Sequence, residues 1–333
     1  MADSVAIKDE LVVSVSHGEF KGIPSIILEN EFIRAEWLPI YGAKLASLEL
    51  KSLSDCELLY QTPQLQLELP VYATPFGNYD TSGFDECFPS IDACEVEVEK
   101  AGEKLRVHVP CHGEVWALSW DYRINEDREI EFSVTSPSLG YRLTKKAALI
   151  GRELRLSYRV ELIEDIEKLP FLWTPHALFR YDHDTEIIAP QRFNEVKSVC
   201  SVGRLNRKDV MYNYPITHDS KVGVWDCSKF LRQDEGTCDK FYFTQKLKAN
   251  DVFGFRNKYY QVLMAVDSHT APYLGVWKNQ GVVNNTHNFA LEPCSGIYDS
   301  AEDAQNNGSV SYVTKSEPQS WHMSYYLNDC REI

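Results

Sequence analysis

Hydrophobic and polar positions alternate with a period of two along most of the chain. The clearest run is Leu154, Leu156, Tyr158, Val160 and Leu162, and shorter ones are Ile33, Ala35, Trp37 and Ile130, Phe132, Val134. Leu105, Val107, Val109 and Trp116, Leu118, Trp120, Tyr122 read the same way. Successive side chains on a strand point to opposite faces, so each set lays an apolar stripe against a core and leaves polar residues outside. Turn residues (Gly102, Asn125 to Asp127, Gly140, Gly151) punctuate the runs, usually within about a dozen residues of one another, which predicts mostly antiparallel sheet in a sandwich or barrel rather than βαβ units. Helical periodicity is scarce. SAEDAQNN, residues 300–307, is the best helix candidate, with Asp299 as its cap, Glu302 in the first turn and Gly308 as its stop.

No Pro-, Gly- or Ser-rich linker, low-complexity tract or internal repeat interrupts the pattern, so one domain over 1–333 is expected. The segment 61–92 is richer in Pro, Gly, Asp and aromatics than its surroundings. It reads as a long loop crossing one face of the sheet, and such loops in compact domains are commonly functional.

Composition narrows the partners. With 44% hydrophobic and 25% charged residues the chain has ordinary globular usage. Its 34 basic and 49 acidic residues give a net charge of −15, a field that repels nucleic acid and anionic membrane surfaces while leaving small neutral molecules open. MADSVAIKDE has no basic segment followed by an apolar stretch, and no apolar run is long enough to span a bilayer, so a cytoplasmic protein is expected. Nine scattered Cys without a CxxC pair fit reduced thiols.

Four stretches place polar residues in apolar or turn-rich settings: GFDECFPSI (83–91), CHGEVW (111–116), FLWTPHALF (171–179) and LEPCSG (291–296). Singly each has a plain reading. Asp85 and Glu86 serve as solvated loop carboxylates, His112 as a turn residue and His176 as a satisfied core histidine. Glu292, between an apolar run and Pro293, reads as the end of a strand where the chain turns away. Jointly, His112, His176 and Glu292 supply two imidazoles and a carboxylate, the parts needed to move protons on a neutral polar substrate. The neighbouring Trp and Phe rings suit the apolar faces of a sugar, and carboxylates suit its hydroxyls.

On these motifs the chain resembles the galactose mutarotase-like superfamily, especially its aldose 1-epimerase relatives. LENEFIRAEWLPIYGAKLASLEL (28–50) is similar to the family's opening strands, HGEVW to its His-Gly motif, WTPHALF to its His-Pro-x-Phe-like motif and ALEPCSG to the stretch bearing its catalytic Glu. Ala177 stands where many members have Pro. The resemblance implies an all-β fold, a large antiparallel β-supersandwich with few short helices and a sugar or glycan site on its concave face. It implies Glu292 as the base that takes the anomeric proton, His176 as the acid at the ring oxygen and His112 as the imidazole that holds the substrate. Asp85, Glu86, Trp173, Arg34 and Trp116 are the candidate substrate-binding residues, and no metal or cofactor is required because the chemistry is proton transfer.

Three other readings stand beside it. A zinc deaminase is excluded, because Pro293, Cys294, Ser295, Gly296 and Ile297 lack the second Cys of its signature. A glycoside hydrolase would pair Glu292 with Asp85 or Glu86. A non-catalytic sugar-binding protein would keep the same residues as hydrogen-bond partners. YDHDTE (181–186) carries metal-capable side chains in the pattern of a solvated strand edge. Lys44 and Arg180, with Arg34, are the basic residues near the motifs. The sugar and the oligomeric state are not legible.

Overall fold

In the computed structural model, which describes residues 12–54, 56–200, 202–205, 207–219, 223–230 and 236–331, the alternating runs become antiparallel sheets. MADSVAIKDE lies outside the described residues. The architecture is a large β-supersandwich. Its front layer joins a six-stranded sheet, which closes on Lys44–Leu50, Phe84–Cys87 and Thr174–Ala177, to a five-stranded sheet, which closes on Thr237–Phe243, Tyr273–Gln280 and His287–Cys294. Reciprocal backbone bonds make the joint: Phe179 N–H donates to Phe289 O at 2.7 Å, and Phe289 N–H to Phe179 O at 3.1 Å. An eight-stranded sheet, with Tyr141–Ile150, Glu153–Leu162 and Gln319–Asp329 at its centre, forms the back layer.

The core lies between the layers. Ile33, Ala35, Trp37, Ile130, Phe132, Val134 and the run Leu154 to Leu162 are buried there, as their alternation predicts. Aromatic pairs cross the gap, with ring centroids 5.9 Å apart for Trp37 and Phe132, 6.2 Å for Phe84 and Tyr325, and 4.9 Å for Phe255 and Phe289. This packing decides the opposite face. Because Phe84 and Phe289 point inward, Asp85, Asn288 and, by the same period of two, Glu292 point away from the core between the layers.

Several sequence expectations change. Leu105 is exposed on the edge strand Glu103–Val109, so that alternation faces little core. Trp116 to Tyr122 is not one strand: Val115–Ala117 is a 3-10 turn and Asp121–Ile124 a separate strand with Tyr122 outside. The loop from 61 ends before Phe84–Cys87, which is a buried strand, so Asp85 and Glu86 are not solvated loop carboxylates. Glu292 is not at a strand end either, since its strand continues through Pro293 to Cys294. The helix forms over Ala301–Asn306, but its cap is Ser300, whose hydroxyl accepts from Asp303 N–H at 2.9 Å. The stretch 181–186 is not one solvated strand edge: a turn closes where Thr185 N–H donates to Asp182 O at 3.0 Å, Tyr181 and Thr185 are buried, and Glu186 alone belongs to the edge strand Glu186–Ile188. No helix among the described residues is long and apolar enough to cross a membrane.

Candidate functional site

The junction between the two front sheets brings distant motifs together. His176 lies opposite Asp85 in the pairing of Thr174–Ala177 with Phe84–Cys87. The bridge from Phe179 to Phe289 extends the same antiparallel alignment to His176 and Glu292, and His176 Nδ1 lies 2.8 Å from Glu292 Oε1. Lys240, from Thr237–Phe243, sets its Nζ 3.2 Å from Glu292 Oε2, an ion-pair contact rather than an aligned hydrogen bond, and 2.8 Å from Asp299 Oδ1. Tyr242 donates to the same Asp299 oxygen at 2.7 Å. Its ring lies against Gly275, where a Cβ would come within 3.0 Å of it, so the missing side chain gives the tyrosine its place.

His112 arrives from the other side on a turn. Its φ is 61°, and Gly113 follows at +74°, with Phe88 O so near that a Cβ there would stand 2.0 Å from it. Only glycine fits that position, which fixes the imidazole before it. The Phe76 ring stacks on His112 with centroids 4.1 Å apart and meets His176 edge-on at 5.8 Å. The two imidazoles are 5.2 Å apart, nearly perpendicular.

The charges follow from these contacts. Burial acts to raise the Glu292 carboxyl, but the Lys240 ammonium and the bond from His176 outweigh it and hold the group at about 2. Glu292 is therefore ionised and can only accept, so Nδ1 of His176 is the donor and the far edge of its ring, with Nε2, is turned away from Glu292. Burial, then the neighbouring His176 and Lys240, push His112 well below the ordinary imidazole value, leaving it neutral. For Lys240 burial acts to lower the ammonium, and Asp299 and Glu292 reverse this and hold it well above. Burial and then repulsion from Asp299 raise Asp92.

These groups border a cavity of about 320 Å³ whose wall includes Phe76, His112, His176, Lys240, Trp277 and Asn288. Glu292 has no exposed surface and stands behind His176 and Lys240 rather than on the wall. The structure thus gathers the three expected catalytic residues but not the expected binding residues. Glu86 and Trp173 face away from the cleft: Trp173 Nε1–H donates to Glu86 Oε2 at 3.0 Å, Tyr158 O–H donates to Oε1 at 2.8 Å, and Lys145 completes the group at 3.2 Å. Both are sealed in the core by strand alternation and cannot reach a ligand. Asp85 is buried beneath His176 in an ion pair with Lys44 at 2.8 Å. Arg34 is held by Glu36 at 2.7 Å and Glu49 at 3.1 Å, outside the cavity. Trp116, buried, donates its indole N–H to Cys111 O at 3.1 Å and supports the edge of Phe76.

Sequence reasoning missed Phe76, Lys240, Trp277, Asn288, Asp92 and Asp299. Phe76 falls within the aromatic segment 61–92, a usable signal. Lys240 sits between Cys238 and Tyr242 on one face of its strand while Phe241 and Phe243 occupy the other, a polar member of an otherwise readable alternation.

No protein-family model and no curated protein matches the chain. Solved structures do. A galactose mutarotase-like protein from Clostridium acetobutylicum superposes with a TM-score of 0.64 at 13% identity, over 95% of this chain and 99% of that one. One from Lactobacillus casei gives 0.64 at 16% identity, over 91% and 100%. The chain has the galactose mutarotase-like fold. A galactose mutarotase related enzyme from Lactobacillus acidophilus extends the likeness, with a TM-score of 0.61 at 14% identity over 91% of this chain and 97% of that one. At these identities the likeness speaks to the mutarotase-like fold and not to the reaction.

Proposed function

We propose that this protein binds a reducing aldose in the cavity and interconverts its anomers by proton transfer, a reaction of the aldose 1-epimerase type. The observation that carries the reading is that His176, on the wall of a cavity of about 320 Å³, is paired at 2.8 Å with an ionised Glu292 behind it. Ring opening takes a proton from the anomeric hydroxyl and gives one to the ring oxygen. By resemblance Glu292 takes the first and His176 gives the second. The covered position of Glu292 favours a division in which both pass through His176, with the carboxylate supporting it from behind. The imidazole accepts the hydroxyl proton at Nε2 as the bond from the anomeric carbon to the ring oxygen breaks. The imidazolium, stabilised by Glu292, then protonates that oxygen, which left the same carbon. Rotation of the open-chain aldehyde and the reverse steps give the other anomer. His112, neutral, contributes hydrogen bonding rather than acid catalysis.

A non-catalytic sugar-binding protein is the second reading, favoured by the ion pair that occupies Glu292. The glycosidase pairing loses support, because Asp85 and Glu86 do not border the cavity. Anomer exchange measured by NMR across an aldose panel separates the readings. Acceleration by the wild type that His176→Asn abolishes, and that Glu292→Gln reduces by about 10²- to 10⁴-fold, supports the enzyme. Binding without acceleration overturns it in favour of the binding protein.

A further inference from the structure

The cavity extends well past the His176–Glu292 pair. The three adjacent strands beneath it carry rows of facing residues, Tyr242, Gly275 and Glu292, then Lys240, Trp277 and Ala290, then Cys238, Asn279 and Asn288, of which Lys240, Trp277, Asn279 and Asn288 border the cavity. Rows are two residues apart, about 7 Å at the rise of an antiparallel strand, so Asn288 lies about 13 Å along the backbone from Glu292. A single pyranose spans roughly one such interval, which leaves the third row beyond the reach of a monosaccharide whose anomeric carbon is at His176.

The third row ends in an uncommitted acceptor. Asn279 Oδ1 accepts from Val283 N–H at 2.9 Å, which fixes its amide so that Nδ2 donates to Val283 O at 2.9 Å and to Thr286 Oγ1 at 2.7 Å. The Thr286 hydroxyl proton goes to Val283 O at 3.1 Å, so Thr286 Oγ1 can only accept from Asn288, and Asn288 Nδ2 donates to it at 3.1 Å. Asn288 Oδ1 is thereby left on the other side of the amide, in a residue 2% exposed that borders the cavity, and it has no partner among the described residues. A buried carbonyl of this kind without a donor carries a desolvation cost that a ligand O–H relieves.

The middle row supplies a platform. Trp277 borders the cavity and is only partly buried, and its partner across the strand pair is the small Ala290. A partly exposed indole on a cleft wall suits the apolar face of a sugar ring. The roof is local as well: the 281–286 turn meets the 76–78 turn where Asn284 Nδ2 donates to Gly77 O at 3.3 Å.

We propose that this end of the cleft is a second sugar subsite, in which Trp277 stacks on the second ring of a reducing disaccharide and Asn288 Oδ1 accepts from one of its hydroxyls. The proposal rests on the sugar-binding reading above and names its substrate class as a reducing oligosaccharide. Titration calorimetry with glucose and galactose against maltose, cellobiose and lactose tests it, run on wild type, Asn288→Leu and Trp277→Ala. The expected result is that at least one disaccharide binds about tenfold or more tightly than its monosaccharide, the worth of one net hydrogen bond. Asn288→Leu, in the third row, removes that advantage and leaves the monosaccharide unchanged, whereas Trp277→Ala, one row nearer His176, lowers disaccharide affinity more than monosaccharide affinity. Trp277 is partly exposed, so its variant retains a folded protein in which the comparison is made even where Asn288→Leu does not. Equal affinity for mono- and disaccharides, or equal losses for both in the variants, overturns the subsite while anomer exchange stands. Disaccharide-selective binding without exchange overturns the enzyme reading and leaves the subsite. Failure to bind any of these sugars overturns the subsite.

Discussion

Lys240→Met removes a charge and retains most of the stem that packs beside Trp277. In the wild type the ammonium lies 3.2 Å from Glu292 and 2.8 Å from Asp299, at sites where Glu292 is fully covered. At an effective dielectric of about 20, unit charges about 3 Å apart attract by roughly 5 kcal/mol, and after the ammonium's own desolvation a truncated buried pair loses about 3–5 kcal/mol. The pH dependence carries its own sign. Glu292 is held at about 2 against an ordinary 4.5, so its ionised form contributes stability that is present above 4.5 and lost as pH falls through about 2. The difference is worth about 3 kcal/mol. Without Lys240 the buried Glu292 and Asp299 lose their shared counterion, and Glu292 rises above 4.5. Its ionisation then opposes folding at neutral pH, and protonation relieves it as pH falls. Urea denaturation of both proteins at pH 7 and pH 5 is the assay. The variant is expected to be about 3–5 kcal/mol less stable at pH 7, with the deficit smaller at pH 5. A variant within about 1 kcal/mol of wild type at pH 7, or a deficit that does not shrink, refutes the assignment of Lys240 as the counterion that holds Glu292 ionised.

Two further outcomes follow from residues outside the cavity wall. Glu86→Leu strands Lys145 in the core and is expected to destabilise by about 3–5 kcal/mol in denaturant titration, while sugar affinity in the folded fraction is unchanged; a selective loss of affinity would return Glu86 to the site. Gly113→Ala drives a Cβ into Phe88 O and strains a φ of +74°, so by about 2 kcal/mol or more it lowers stability and displaces His112, seen as an altered imidazole signal in NMR.

Where a residue's neighbours along the chain decide its environment, the sequence was readable. The run Leu154 to Leu162 alternates without a break because one face of its strand packs on the opposite layer, and the class of fold follows from repeating that relation. His112, His176 and Glu292 were legible as candidates, since each interrupts an apolar or turn-rich setting with chemistry that such settings rarely hold, and the structure brings the three together. Asp85 and Glu86 were not separable in this way. They are adjacent, equally acidic and equally flanked by Phe, yet one pairs with Lys44 and the other with Lys145, Tyr158 and Trp173, because neighbouring positions on a strand face opposite sides.

The sequence by itself therefore determined the antiparallel layers, the polar residues that break their pattern and the acidic field that disfavours polyanions. Only the tertiary structure decided which of those polar residues share a cavity. That outcome depends on the joint at Phe179 and Phe289, which aligns strands 110 positions apart and sets His176 against Glu292. It also decided which charge lies next to which, placing Lys240 on Glu292 and leaving Asn288 Oδ1 without a partner among the described residues. Strand register fixes such pairings through backbone hydrogen bonds between segments remote in sequence, and local patterns of hydrophobicity carry no record of the partner.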